Sequence, residues 1–514
     1  MKRGSRLKLL PFLLRLHKGE KTMGKEFSRS KKVGLGIIAL QLIASATFLV
    51  SLCMLNVLDT KFVAFIGVVV FLVFLILALA IYLAKNKAIL RKATSIVVSL
   101  ILFAMSFLMF TMNSAVDEIV KPAGRVETMH VVVLTEDPAQ TIQDAKDYKF
   151  GVQYQFKGEE VRKTVDLINK ELEKEIKTKK YESVHAQAEA LFDKKVGAII
   201  YNDSYTGMLE ELYEGYSEKV RILHSYSVEI EPQEIVLNEV VKDVKVDKDD
   251  NTFTMYISGI DVYGNINRTS RSDVNILAVV NKETHQILLV TTPRDYYVPI
   301  PGVSGGQRDK LTHAGIYGVN ASMATLADLY DVNIDYYTRV NFTSVINIID
   351  ALGGVTVHSD YAFSNSIVNI KEGENYLNGE QALAFSRERY NLPGGDFQRG
   401  KNQQEVIKGV LEKAISPKIL SSAGDILKIV SNNVDSNLDM KEVKELIKDQ
   451  IKSDKPWEVK TMAAVGHGDS QKCYSSPGYN LYVAWPDEDS IEKISKAIDK
   501  VENDQMLDGS DTVQ

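Results

Sequence analysis

The chain is nearly without cysteine: two thiols, Cys53 and Cys473, stand among 514 residues. Cys53 falls within a long apolar run and Cys473 far beyond it. Once that run is placed in a bilayer the membrane separates them, which excludes an intramolecular disulfide. Signatures for zinc and for nucleotide phosphates are missing as well. No His-Glu-x-x-His, paired Cys-x-x-Cys or Gly-x-x-x-x-Gly-Lys-Ser/Thr spacing occurs, so zinc protease, zinc ribbon and nucleotide hydrolase readings have no support. Nor is there a surplus of positive charge. The formal net charge is −6, and nothing in it suggests a nucleic-acid partner. No internal repeat is found.

What the chain does have is long uncharged sequence. Three runs, Gly34 to Leu58, Phe62 to Ala84 and Ala93 to Val116, contain no charged residue. Each reaches the roughly 20 residues an α-helix needs to cross a hydrocarbon core. The first is too long for a signal peptide and lacks a small-residue cleavage site. Basic residues set the orientation. Eleven Lys and Arg precede the first run, from Lys2 to Lys32, and Lys85, Lys87, Arg91 and Lys92 fill the second short loop, whereas the first loop holds only Asp59 and Lys61. The positive-inside rule then puts the N-terminus in the cytoplasm and everything after Val116 outside, a multi-pass arrangement in the cell membrane. The arm is read as a topology determinant, with Met23 an alternative start.

The expected architecture is α/β throughout the exterior. Residues 1–32 form a basic cytoplasmic arm and 33–116 a three-helix membrane anchor. A small α/β accessory domain follows at 117–250, a larger α/β domain with a mixed sheet flanked by helices at 251–505, and a disordered polar tail at 506–514. In the accessory domain, periodicity predicts strands at Val131–Leu134, Val196–Tyr201 and Val220–Ile230 and helices at Gly158–Lys177 and Val184–Phe192. In the larger domain it predicts strands at Phe253–Ile260, Val274–Val280, Gln286–Thr292, Tyr336–Val340 and Val355–His358. Helices are expected at Ala314–Tyr330, Phe342–Leu352, Gly379–Phe385, Asn402–Ala414 and Met440–Lys452.

Charged residues gather at the ends of those apolar segments. Asp261 follows one strand; Arg271 and Asp273, two apart, precede the next; Arg294 and Asp295 close a third. Arg387 and Arg389 are spaced i, i+2, and Asp396 leads to Arg399, with Gln403 one helical turn further on the same face. Guanidinium forks suit phosphate oxygens, and a pyrophosphate offers enough of them to engage several arginines. Two carboxylates together with phosphate oxygens are a usual way to hold Mg²⁺, with Mn²⁺ as a substitute. The set describes a phosphoryl-transfer site, where positioning and charge neutralisation carry the catalysis. Taken singly, each such residue more often belongs to a solvated or structural ion pair. His313 reads as a helix-entry or core residue, and Val345, Ile346, Ile349, Val410 and Leu411 as ordinary core rather than the wall of a lipid cavity.

The motif order GID (259–261), RTSRSDVN (268–275), TTPRD (291–295), KLTHAGIYG (310–318), LNGEQALAFSRERY (377–390) and DFQRGKNQQ (396–404) resembles that of the LytR-CpsA-Psr family. The three-helix anchor with an intervening module further resembles its capsule-associated branch. The resemblance implies metal-coordinating roles for Asp261 and Asp273, and pyrophosphate contacts for Arg271, Arg294, Arg387, Arg389, Arg399 and Gln403. It also implies a catalytic role for Asp396, near the reacting phosphate, alongside Arg389. The implied activity moves a capsular or other secondary wall glycopolymer from a polyprenyl-pyrophosphate lipid to peptidoglycan on a Gram-positive surface. Other capsule-assembly proteins are implied as partners. A membrane-bound regulator or scaffold of capsule synthesis and a polyprenyl-pyrophosphate hydrolase remain as alternatives.

Overall fold

The computed structural model describes residues 10–55, 60–84, 89–119, 125–154, 158–230, 251–261, 266, 269–389, 391–393, 395–414, 429–430, 433–438, 446 and 455–508. The chain divides into two compact units, Met1–Asp117 and Glu118–Gln514.

The first unit is α1 (Leu10–Leu55), α2 (Thr60–Tyr82) and α3 (Ile89–Ile119). Three stretches within them, Lys31–Met54, Lys61–Tyr82 and Ile89–Phe110, are long and apolar enough to cross a membrane. Their exposed side chains include Phe65, Phe71 and Phe107, apolar surface that lipid rather than water would cover. The few polar groups turn inward, as when buried Ser95 donates to Gln41 at 2.6 Å. From Leu10 onward the basic arm is continuous with the first helix.

The second unit holds two sheets. The accessory sheet is built from β1 (Arg125–Leu134), β2 (Lys149–Val152), β3 (Lys177–Lys180), β4 (Ala198–Asn202) and β5 (Val220–Ile230), in the order β3-β2-β4-β1-β5. Its helices are α4 (Gly158–Leu172), α5 (Val184–Phe192), α6 (Thr206–Leu212) and α7 (Tyr216–Lys219). Alternation along β1 covers both faces. Val131 and Val133 pack with Val161 and Ile168 of α4, while Val132 packs with Ala188 and Leu191 of α5. The expected strand at 131–134 is thus the end of a longer one. The helix expected to reach Lys177 stops at Leu172, because Lys177–Lys180 forms an exposed edge strand whose lysines discourage further pairing.

The larger sheet uses β6 (Thr252–Ile260), β7 (Ser272–Asn281) and β8 (Gln286–Thr291) at its centre. The chain continues through β9 (Tyr297–Pro299), β10 (Arg308–Lys310), α8 (Leu311–Ala314), α9 (Val319–Tyr330), β11 (Tyr336–Asn341) and α10 (Phe342–Ala351). Next come β12 (Val355–Ser359), β13 (Phe363–Ser364), β14 (Asn369–Ile370), β15 (Gly373–Leu377), α11 (Gly379–Arg387) and α12 (Asp396–Ala414). The C-terminal part is β16 (Asp435–Ser436), β17 (Glu458–Ala463), β18 (Gly466–Cys473), β19 (Ser476–Pro486) and α13 (Glu488–Glu502). Sheet order is β16-β11-β6-β7-β8-β17, with β6, β7 and β8 antiparallel and both β11 to β6 and β17 to β8 parallel.

Helices cover both faces of this mixed sheet. Leu277, Val279, Leu288 and Val290 pack against Met323 and Leu326 of α9 and Ile494 and Ile498 of α13. Their neighbours Ile276, Ala278, Val280, Ile287 and Leu289 turn to the other face, where Ile407 and Leu411 of α12 lie. Each Val, Leu and Ile among these contributes about 1.5–3 kcal/mol by burial, so the β7–β8 pair is the stable floor on which the site stands.

Further helix boundaries also differ from expectation. The segment from Ala314 to Tyr330 is broken into α8, a 3₁₀ turn and α9, because Gly318 adopts φ +113° and ends the first helix. The helix expected from Asn402 begins six residues earlier, at Asp396. Met440–Lys452 lies outside the described residues apart from Leu446. Leu507, inside the segment read as a polar tail, is buried in the main core, and 509–514 lie outside the described residues.

Candidate active site

Antiparallel pairing brings the charged ends together. β6 and β8 both flank β7 in the opposite direction, so the residues that follow β6 and β8 and those that begin β7 share one sheet end. Asp261 follows β6, Arg271 and Asp273 stand at the start of β7, and Arg294 follows β8. β11, parallel to β6, ends at the same side and delivers the first turn of α10 there.

The floor beneath is a buried polar ladder. The Tyr256 hydroxyl lies 2.8 Å from Ser272 Oγ and donates to Asn275 Oδ1 at 2.7 Å, and Ser258 is 2.8 Å from Ser272. These bonds hold the point where β6 and β7 shift register, between Gly259 and Ile260. Gly315 presses on the same place. A Cβ there would stand 2.6 Å from Ser272 N and 2.7 Å from Ser270 O, so only glycine lets α8 approach the start of β7.

Asp273 is the electrostatic centre. Its Oδ1 accepts from Arg294 Nη1 at 2.9 Å and from Thr312 Oγ1 at 3.0 Å. Burial alone would push its carboxyl up, but Arg271 and Arg294, with the two hydrogen bonds, outweigh that and hold it below the ordinary aspartate range. Its Oδ2 is buried and has no hydrogen-bond partner among the described residues. Asp261 is more open and pairs at 3.6 Å with Arg387, whose guanidinium lies 4.2 Å from the centre of the Phe342 ring. Partial burial and then the Asp273 charge push Asp261 above its ordinary range, against the pull of Arg387, Arg271 and Arg294. Two carboxylates, one raised by burial and by the charge of the other, and the other with an orphaned oxygen, form a pair suited to a divalent cation. No group of three or more His, Cys, Asp or Glu placed to hold a metal ion by themselves is found among the described residues. Such a cation would need phosphate oxygens or water to complete its shell.

The LytR_cpsA_psr family model matches residues 219–500, more than half of the chain. The protein belongs to the LytR-CpsA-Psr family. Among curated relatives, this LytR-CpsA-Psr protein is 37% identical over 198 residues to the polyisoprenyl-teichoic acid–peptidoglycan teichoic acid transferase TagU of Bacillus subtilis. That match covers 38% of this chain and 63% of the relative. It is 36% identical over 200 residues to TagU of Enterococcus faecalis, covering 38% and 65%. The chain thus spans less than two thirds of the length of these relatives. Among solved structures, B. subtilis TagV matches at 24% identity and TM-score 0.43, and B. subtilis TagU at 30% and 0.39. Each covers 50% of this chain and 100% of the solved one.

Of the residues singled out in this LytR-CpsA-Psr chain, Asp261, Asp273, Arg271, Arg294 and Arg387 come together. Arg387 is the last residue of α11 rather than part of a strand, so Arg387 and Arg389 flank a helix end and not an extended pair. Between them Glu388 is buried and accepts from the Arg389 and Asn391 backbone N–H groups and from Asn365. Arg389 is exposed beyond the helix end, and Arg399 and Gln403 are half-buried one turn apart on α12. That helix is locked to the sheet by Gln404, which donates to Met462 O at 2.6 Å, and to α11 by Asn402, which donates to Phe385 O at 3.2 Å. Asp396 begins α12, and its side chain lies outside the described residues. His313 is buried on Asp309 at 2.6 Å and Ser475 at 3.0 Å, in keeping with a core histidine.

Three participants carried little sequence signal. Lys310, Thr312 and Glu211 all reach the cluster, and Glu211 comes from α6, which packs beside the accessory sheet. Lys310 and Thr312 stand in the KLTHAGIYG motif, where Lys310 follows Arg308 and Asp309 and reads as part of an ordinary mixed-charge turn. Glu211 sits in an acidic stretch that reads as a solvated helix face.

Proposed function

We propose that the protein is a membrane-anchored phosphotransferase, its second unit outside the cell, which moves a capsular or other secondary wall glycopolymer from a polyprenyl-pyrophosphate carrier to peptidoglycan. The observation that carries this reading is the buried, unpartnered oxygen of Asp273 in a cluster of arginines and a second aspartate. Teichoic acid transferases among the relatives support the direction of transfer.

Asp261 and Asp273 would hold Mg²⁺, or Mn²⁺ in its place, which supplies charge neutralisation to the pyrophosphate oxygens. Arg271, Arg294 and Arg387 bind and orient those oxygens, and Arg389, Arg399 and Gln403 extend the contact along the α11–α12 side. The acceptor sugar hydroxyl attacks the phosphorus nearest the glycan. Its oxygen forms the new P–O bond, its proton passes to Asp396, and the bond to the bridging oxygen breaks, releasing polyprenyl phosphate. The arginines stabilise the charge left on that oxygen, so most of the rate enhancement is electrostatic.

Full-length protein supplied with Mg²⁺, a polyprenyl-pyrophosphate-linked glycan and peptidoglycan is expected to form a phosphodiester linkage, and Arg389→Ala to lose most of it. Release of polyprenyl phosphate without linkage would identify a hydrolase. No product from wild type, or equal product from the variant, refutes the assignment.

A further inference from the structure

Helix α6 of the accessory sheet reaches the phosphate cluster. Glu211 accepts from Lys310 Nζ and, at 3.4 Å, from Arg271 Nη1. Gly207, one turn earlier on the same helix, leaves the space in which the Arg271 guanidinium lies. A Cβ at that position would stand 2.7 Å from Nη2, 2.8 Å from Cζ and 2.9 Å from Nε. Lys310, only 1% exposed, continues to Asp295 at 3.2 Å; Asp295 meets Arg294 Nε at 3.6 Å, and Arg294 meets Asp273 at 2.9 Å. Charges of alternating sign therefore run without a break from the accessory helix to the central carboxylate.

The surroundings hold α6 in place. Ile316, with Tyr317 and Tyr474, packs into the accessory cluster of Met208 and Leu209, and Leu212 packs against Cys473 and Leu481 of the β18–β19 hairpin. Glu211 faces two cations that it can satisfy only from this seat. Burial would push its carboxyl up, but Lys310 first, then His313 and Arg271, hold it below the ordinary glutamate range, so it is charged wherever the site is.

We propose that Glu211 is a positioning residue for the pyrophosphate site: with the seat at Gly207 it holds the Arg271 guanidinium, so that the accessory domain completes the anion site. An arginine already fixed loses less rotamer freedom when it grips a phosphate, which is the usual gain from a rigid supporting shell. The identity of the anion rests on the phosphotransferase reading.

The test uses the full chain in detergent, with inorganic pyrophosphate and farnesyl pyrophosphate as probes, and reads dissociation constants by calorimetry beside the thermal unfolding midpoint. Glu211→Gln keeps the shape and removes the charge. Gly207→Ala forces the Arg271 guanidinium to move while alanine favours the helix. Both are expected to weaken pyrophosphate binding on the order of ten-fold. Gly207→Ala should do so without lowering the midpoint, and Glu211→Asp should recover part of the loss. Wild-type affinity in both variants, or a lowered midpoint with unchanged affinity, overturns the positioning role. Wild type that binds neither probe overturns the phosphotransferase reading itself, and this proposal with it.

Discussion

Replacing Arg294 with methionine tests the electrostatic account at its centre. The side chain keeps much of its apolar length, but Asp273 loses a 2.9 Å charged hydrogen bond and one of the two cations that outweigh its burial. Breaking a buried ion pair by removing one partner costs about 3–5 kcal/mol. The lower end applies here, about 3 kcal/mol, because 12% of Asp273 and 18% of Arg294 remain exposed and Arg271 and Thr312 stay in place. The unfolding midpoint should fall by roughly 6–12 °C. Tryptophan fluorescence reports it directly, since the two tryptophans, Trp457 against His285 and Trp485 against Tyr297, both lie in the larger domain. The pH dependence should also change sign. In wild type the depressed carboxyl contributes stability that is present above the unfolded value of about 3.9 and lost as pH falls through the folded value. In the variant burial dominates and the folded value rises above about 3.9, so the contribution is full below that and lost as pH rises. The deficit relative to wild type should therefore narrow between pH 7 and pH 4.5. A midpoint within about 1 °C of wild type, or a deficit that does not vary with pH, would refute the reasoning.

Further outcomes follow from single contacts. Thr312→Val removes a buried hydroxyl that donates to Asp273 and should cost about 1.5 kcal/mol in urea unfolding, with Thr312→Ser restoring most of it. Gly315→Ala pushes on backbone atoms of Ser270 and Ser272, which cannot swing aside as a side chain would. Glycan transfer should drop about a hundred-fold while circular dichroism stays native. Chelation should abolish transfer and Mg²⁺ restore it. Mg²⁺ affinity should begin to fall at a pH above the ordinary aspartate value, because a proton competes with the metal for Asp261, whose carboxyl is raised in the metal-free protein. Asp261→Asn should remove the Mg²⁺ response with little change in unfolding midpoint, since that side chain is 42% exposed.

Elements with dense apolar alternation were legible in the sequence because burial itself wrote them. β7 and β8 send successive side chains to opposite cores, and the expected strands at 274–280 and 286–292 differ from them by at most two residues at either end. β3 and β18 were not legible. Lys177–Lys180 and Gly466–Cys473 are polar edge or hairpin strands held by backbone pairing, and backbone pairing leaves little trace in side-chain pattern. The break before α9 was missed for another reason. The apolar rhythm runs through Gly315 to Gly318 undisturbed, and the 3₁₀ turn and positive φ of Gly318 that separate the two helices leave no mark in it.

The site divides along the same line. Asp261, Arg271, Asp273 and Arg294 were found because charges at strand ends converge wherever antiparallel neighbours turn, a consequence of local pattern alone. Lys310 differs in kind. It is almost fully buried and would be costly there without compensation, yet its carboxylate partners are Asp295, 15 positions away, and Glu211, 99 positions away on α6 beside the accessory sheet. No periodicity links such positions. A buried lysine therefore implies that its partners fold with it, which makes the accessory sheet a condition for the charge order around Asp273. If so, the larger domain expressed from residue 251 onward should retain its sheet by circular dichroism but lose pyrophosphate affinity by at least as much as Glu211→Gln does in the full chain. Undiminished affinity in that fragment would show that Asp295 alone compensates Lys310 and that Arg271 finds its place unaided.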